Sequence, residues 1–239
     1  MIFHFPNRCE DTELMDDPNL NPAMLEEVLK DLATVNKLLN GNKITIKAIE
    51  KIIRDNPNEH FTILDMGCGD GQLLRDISVY FRKKRRNFAL VGIDISEKGI
   101  EIAKERSKEY PEISFHCQDI LNLTTNALEC DILVCSLTMH HFKDHEIPLF
   151  LEKFVHLAKI AVIINDLERS KLAYYLFKFF SAIFIKTKIA KEDGLVSIKS
   201  GFTKDDLHHF SNNLPQISHS IQWKWAFRYL WVLQKAKSK

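Results

Sequence analysis

Glycine is scarce in this chain, eight residues in 239, and proline is scarcer still at seven. No low-complexity linker and no internal repeat interrupts the sequence, which fits one large α/β domain or one domain with a small cap. An excess of either charge is also missing: 33 basic against 32 acidic side chains leave a net charge of +1. No global electrostatic footprint therefore points to nucleic acid or to an anionic membrane. The five cysteines form no Cys-x-x-Cys pair, and Cys68, Cys117 and Cys135 lie in or beside apolar runs. They read as reduced thiols of a cytoplasmic protein. The opening stretch MIFHFPNRCEDTEL has no basic segment ahead of a long apolar core, so no signal peptide is expected. The longest apolar region, Leu172 to Ala190, is broken by Lys178, Lys186 and Lys188 and predicts no transmembrane span.

What is present is alternation. Apolar residues at helical spacing predict a helix from Pro22 to Leu39, capped by Asn21 and ended by Gly41, and a second from Ile44 to Asn56 before Pro57. β-rich runs follow at Phe61–Met66, Phe88–Ile93, Ile113–Cys117, Asp131–Cys135 and Ile160–Ile164. Between them lie stretches of helical period at Gln72–Arg85, Glu97–Glu109 and Glu146–Leu157. Strands alternating with helices require crossovers and a parallel sheet covered on both faces. Two further runs, Ile217–Trp225 and Phe227–Gln234, have almost nothing between them and read as an antiparallel hairpin closing the sheet. An insert from Asp166 to Gly201 carries an aromatic cluster from Tyr174 to Phe184, read both as core and as the wall of a pocket for a flat apolar molecule.

Three of the eight glycines, Gly67, Gly69 and Gly71, fall within five residues where the first strand gives way to a helix. A glycine turn there lets the backbone approach a ligand and leaves helix N–H groups free to meet it, at the end of the sheet where open parallel folds bind ligands. The dinucleotide fingerprint needs G-x-G-x-x-G, and Gln72 stands where its last glycine belongs; no G-x-x-x-x-G-K-[ST] string exists. Asp65 would repel a pyrophosphate but welcome an ammonium or sulfonium group, and S-adenosylmethionine carries both and no phosphate. Asp94 ends the second strand, where a carboxylate can accept from both ribose hydroxyls, and Asp119 ends the third, within reach of an adenine amino group. Ile95 and Ile120 would flank the adenine ring. Plainer readings stand beside these: a tight turn for the glycines, a helix cap for Asp94, an exposed turn for Asp119.

This constellation resembles the class I S-adenosylmethionine-dependent methyltransferases. ILDMGCGDG is similar to that family's glycine loop, GIDIS to its ribose segment, CQDI to its adenine segment and CDILVCSLTMHHF to its fourth-strand segment, from about Glu59 to Asn165. Outside this core, MDDPNLNPAMLEEVLKDLATVNKLLNG, NDLERSKLAYY and EDGLVSIKSGFT resemble a bacterial group associated with polyketide or phenolic biosynthesis. The resemblance implies a Rossmann-like α/β fold with a seven-stranded mixed sheet, N-terminal helices and a helical insert after the fifth strand. It divides the chain into a helical cap at 1–58 and a cofactor domain at 59–239 with a lid at 166–201. It implies S-adenosylmethionine as cofactor and S-adenosylhomocysteine as product. Asp65, Gly67, Cys68, Gly69, Asp94, Ile95, Gln118, Asp119, Ile120, Ser136 and Leu137 would form the cofactor site.

The expected reaction is methyl transfer to a small, largely apolar acceptor, by preference O-methylation of a phenolic, polyketide or quinone-like metabolite. His141, then His140, are the candidates for a general base or an orienting donor, against a packed loop in which one histidine caps the next helix. His140, His141, Asp144 and Asp166 could instead ligate a metal. Among the methyltransferases this chain resembles, however, the metal-dependent catechol enzymes place acids after strand four and an Asp-Asn pair after strand five, whereas here strand four ends in Ser136 and the pair is reversed as Asn165-Asp166, so no metal is expected. His208-His209 and the run Arg82 to Arg86 read as solvated helix surface, and nucleic acid is not an expected partner. Two rival readings are a nicotinamide-dependent oxidoreductase on a similar fold and a non-catalytic cofactor-binding module.

Overall fold

The apolar runs become strands β1 (His60–Met66), β2 (Asn87–Asp94), β3 (Ile113–Cys117), β4 (Cys130–Ser136) and β5 (Ala158–Leu167), followed by β6 (Ser218–Lys224) and β7 (Arg228–Gln234). The structure, a computed structural model, describes residues 4–17, 19–57, 59–120, 122 and 129–235. One sheet runs in the order β3-β2-β1-β4-β5-β7-β6. β1 to β5 are parallel to their neighbours, while β7 inserts antiparallel between β5 and β6, as the terminal hairpin predicts. The helices are α1 (Pro22–Leu38), α2 (Gly41–Asp55), α3 (Gln72–Lys83), α4 (Glu97–Arg106), α5 (Ile147–Leu157), α6 (Lys171–Phe184), α7 (Lys188–Ser200) and α8 (Lys204–Ser211).

The sheet is buried on both sides. Leu64, Met66 and Leu133 face one core with Phe150 and Phe154 of α5 and Leu207 of α8. Ile63, Leu90 and Ile132 face the other, with Ile49 of α2 and Leu74 and Ile77 of α3. Each such side chain contributes roughly 1.5–3 kcal/mol on burial, so the alternation along the strands fixes their register. A smaller cluster joins Val28 of α1 to Ile185 and Ala190, tying α1 to the segment around α6 and α7.

Two boundaries depart from the sequence expectation. β5 runs on through Asn165 and Asp166, which pair with Leu230 and Tyr229 of β7, so Asp166 belongs to the sheet and not to the insert. These polar residues read as a strand end, but each finds buried partners: the Asn165 amide donates to Gly41 O and Thr45 Oγ1, and Asp166 meets His140. Gly41 read as the stop of α1, yet it opens α2, with Asn40 in the left-handed region at φ 56°. A Cβ at Gly41 would come within 2.8 Å of the Arg228 guanidinium, which explains the glycine.

The N-terminal segment is irregular but anchored. Leu14 N and Met15 N donate to the Asp193 carboxylate at 2.7 and 2.9 Å, and Arg8 donates to Ser200 O and His140 O. These bonds carry residues 8–16 across α7 to the carboxyl ends of the strands.

Candidate active site

The carboxyl ends of β1, β2, β4 and β5 border a cavity of about 1200 Å³ that α1, α6 and α7 also line. The glycine turn forms one wall. Gly67, Gly69 and Gly71 all have positive φ, at 77°, 51° and 74°. At Gly67 a Cβ would lie 2.3 Å from Thr138 Oγ1, whereas at Gly69 it would meet nothing, so only the backbone conformation calls for glycine there. The turn is pinned to β2: Gly67 N and Cys68 N donate to Ile93 O, and Gly69 N donates to Asp94 Oδ2 at 2.7 Å.

Two acids, one in the turn and one in the strand that enters it, have opposite surroundings. Asp70 pairs with Arg75 at 3.3 Å and with Arg106 at 2.5 Å. Asp65, 2% exposed near the end of β1, has no hydrogen-bond partner for Oδ1 among the described residues. Burial, helped by the Asp94 charge, pushes its carboxyl up to about 8. A buried carboxylate with an unmade bond is costly unless a donor or a cation meets it. The donor set therefore fits a ligand carrying an ammonium or sulfonium group.

Asp94 accepts from Ser96 N at 2.9 Å with one oxygen and from Gly69 N with the other, so it braces the turn, and each oxygen keeps a lone pair for a further donor. Burial raises its carboxyl while those two backbone bonds oppose the rise. Ile95, 70% exposed, and the buried Ile120 both line the cavity, as does Asp119, which accepts from Asn122 Nδ2 at 2.7 Å. Gln118 stands apart: its side chain is exposed and outside the lining, and its backbone N donates to Asp94 O. Cys68 lines the cavity as a buried thiol held neutral, burial pushing its pKa far up. Ser136 and Leu137 lie on the floor after β4, Leu137 in the left-handed region at φ 54° with its N–H on Asn165 O.

The two histidines occupy unlike positions. His140 is 5% exposed, with Nδ1 2.7 Å from Asp166 Oδ1 and Nε2 3.4 Å from Glu13 Oε1. Burial disfavours its charge, but Asp166 and Glu13 outweigh burial and push the imidazole up to about 10. Burial likewise opposes ionisation of Glu13 and Asp166, and His140 still holds both below the usual carboxylate range. His140 is thus a cation at neutral pH with both nitrogens engaged. The general-base expectation for it does not hold in this arrangement, because a base needs a free lone pair. His141 stacks on it with ring centroids 4.4 Å apart, is solvent-accessible, lines the cavity and has Nδ1 3.4 Å from Asp16 Oδ2.

Glu13, His140 and His141 bring ligand-capable atoms within 4.8 Å of one another. The four-residue set His140, His141, Asp144 and Asp166 is not gathered, since the exposed Asp144 carboxylate pairs with Arg8 at 2.5 Å.

Sequence reasoning missed Glu13 and Asp16, which arrive from far along the chain, and Arg228. Arg228 lines the cavity at 2% exposure; Nη2 donates to Asn36 Oδ1, but Nε and Nη1 have no partner among the described residues. Burial pulls this guanidinium down to about 10, and Asp166 opposes that pull. No local pattern signals such a residue: an arginine in a strand reads as surface.

Residues 63–160 match the methyltransferase-domain family. The chain is 32% identical over 104 residues to a ubiquinone biosynthesis O-methyltransferase of Coxiella burnetii (strain RSA 493 / Nine Mile phase I), covering 43% of this chain and 41% of that protein. It is 33% identical over 84 residues to a carboxy-S-adenosyl-L-methionine synthase of Campylobacter hominis, covering 35% of this chain and 34% of the other. The chain thus spans about two fifths or less of the curated relatives it matches. In fold it is similar to the plantazolicin methyltransferase BpumL solved in complex with SAH, with TM-score 0.67, 17% identity and 92% of each chain covered. It is also similar to magnesium protoporphyrin IX methyltransferase of Synechocystis PCC 6803 solved with SAM, with TM-score 0.55, 16% identity, and 87% of this chain and 84% of that one covered.

Proposed function

We propose that this chain, whose residues 63–160 match the methyltransferase-domain family, is a class I S-adenosylmethionine-dependent methyltransferase that methylates an oxygen of a small, largely apolar acceptor. The observation that carries this reading is Asp65, a buried carboxylate with an unmade hydrogen bond near the end of β1, just ahead of a turn of three left-handed glycines. A pyrophosphate-bearing nicotinamide cofactor would set two further anionic charges against that carboxylate.

In this reading Asp65 and the backbone of the glycine turn hold the cationic amino-acid end of S-adenosylmethionine. Asp94 and Asp119 accept from its ribose and adenine, with Ile95 and Ile120 against the ring. When bound, S-adenosylmethionine supplies an already activated methyl group, so most of the protein's contribution is positioning. Ser136 and Leu137 form the floor of the site. His141 takes the acceptor proton: Asp16 beside its Nδ1 selects the tautomer whose Nε2 carries the lone pair. Helix α1 and the helices α6 and α7 serve as the cap and lid that exclude water.

The test is calorimetric titration with S-adenosylmethionine, followed by transfer of labelled methyl from it to extracted phenolic, quinone and lipid metabolites. Wild type should bind and label. His141→Gln should bind the cofactor as wild type does and label about 100-fold more slowly. Failure of the wild type to bind S-adenosylmethionine, or tight binding of reduced nicotinamide instead, overturns the proposal.

Arg228 belongs, in the same reading, to the acceptor. Along β1-β4-β5-β7 it stands three strands from Asp65, at least ~14 Å away at ~4.8 Å per strand, and four residues along β7 from the register of Asp65, too far to serve the same amino-acid group. Its two unmade bonds suit an acceptor carbonyl or oxyanion. Arg228→Met should raise the acceptor KM at least ~10-fold and leave cofactor affinity unchanged, by steady-state kinetics and calorimetry. It should not lower the melting temperature, because replacing an under-paired buried charge by an apolar chain is often neutral or stabilising.

A further inference from the structure

Helix α6 turns an apolar face to solvent. Leu172, Leu176, Phe179 and Ile183, spaced by four, three and four residues, share one side of the helix and are 52%, 47%, 72% and 60% exposed. Monomeric proteins seldom leave such a row of large apolar side chains uncovered. From Lys171 to Lys191 the chain has five lysines and no acid. Lys171 and Lys178 on the helix and Lys186 just beyond it flank the apolar row, and none of the three has an ion pair among the described residues. Trp225, 63% exposed at the β6–β7 tip, lines the same cavity as Leu176, Phe179 and Ile183.

We propose that this face docks on an anionic lipid bilayer, the apolar row and Trp225 entering the headgroup boundary and the lysines meeting anionic lipid. An amphipathic helix with basic flanks and aromatic anchors has the chemistry of an interfacial helix. At 14 residues, about 21 Å long, α6 lies in the interface, and among the described residues no helix is long and apolar enough to cross a membrane. The chain's net charge of +1 conceals this local concentration. Because Leu176, Phe179 and Ile183 of the exposed row also line the cavity, docking would let a lipid-dissolved acceptor pass from bilayer to site without crossing water. This inference rests on the methyl-transfer reading for its acceptor, but lipid binding itself needs neither cofactor nor turnover.

The test is co-sedimentation of the whole protein with vesicles of phosphatidylcholine alone and of an equimolar mixture with phosphatidylglycerol. Wild type should bind the anionic vesicles roughly 100-fold more strongly at low salt, from about a fivefold gain for each of three lysines. The triple variant Lys171→Glu, Lys178→Glu, Lys186→Glu should lose that preference. Leu172→Ser with Tyr175→Ser, neither of which lines the cavity, should weaken binding to both vesicles while cofactor affinity stays at the wild-type value, which shows the variant is folded. Equal recovery of wild type and variants with vesicles overturns the proposal. So does a dimer in sedimentation velocity that the Leu172/Tyr175 variant dissociates, since a second copy would then cover the face. Vesicle binding without methylation of any acceptor would sink the proposed reaction and leave this inference standing.

Discussion

Asp65→Asn should make the protein more stable at pH 8 and strip it of cofactor affinity. The carboxyl stands at about 8 in the folded chain, far above its ordinary value near ~3.9, because burial and Asp94 disfavour its charge. Between those two values the folded state binds a proton that the unfolded state has released. Stability from this group therefore falls as pH rises from about 4 to 8, by up to about 5 kcal/mol. Asparagine removes the titration but brings an amide whose own donors lack partners, a cost of about 1–3 kcal/mol. The balance predicts a melting temperature about 5 °C above wild type at pH 8, and none of that gain near pH 4, measured by calorimetry across the range. Cofactor affinity should drop about 100-fold or more, the loss expected when one partner of a desolvated charge pair is removed. Wild-type affinity should climb as pH approaches about 8 and Asp65 ionises, and the variant should show no such climb. A variant that binds the cofactor like wild type would remove Asp65 from the site.

His140→Ala should be the most damaging single change in the loop after β4. It leaves Glu13 and Asp166 facing each other across the vacated space, both buried, with no cation between them. Removing one member of a buried ionic cluster costs about 3–5 kcal/mol, roughly 10 °C in melting temperature for a chain of this size. The pH dependence separates this from simple cavity formation. In wild type the imidazole is raised to about 10, so its contribution is complete below about 6.5 and lost as pH rises toward 10. Glu13 and Asp166 are lowered, so theirs is complete above the ordinary carboxylate range and lost in acid. The variant's deficit in urea unfolding should then be large at pH 7 and shrink near pH 4, where the stranded carboxylates take up protons. A deficit independent of pH would point to lost packing alone.

The glycine turn was legible because its demand is local: three left-handed positions within five residues leave few alternatives to glycine, and the acid beside them narrows the ligand. The sheet was legible because period and β-branching change together at each strand. Asp166 was misread as the start of an insert because its polarity outweighed its position; only the histidine across from it makes a buried aspartate tolerable in β5. Glu13, 127 residues from His140 in the sequence, leaves no periodic trace at all, since a carboxylate in an irregular segment looks the same whether it is solvated or buried. Arg228 was hidden for a related reason: its unmade bonds are a property of its neighbours, Gly41 among them, and not of its own stretch.

The anchoring of residues 8–16 on α7 has a consequence for biosynthesis. Asp193, Ser197 and Ser200, which hold this segment, leave the ribosome after every strand of the parallel core. Glu13 precedes all three in the chain, so it waits unplaced until helix α7 exists, and the proton bridge at His140 cannot close before that helix is made.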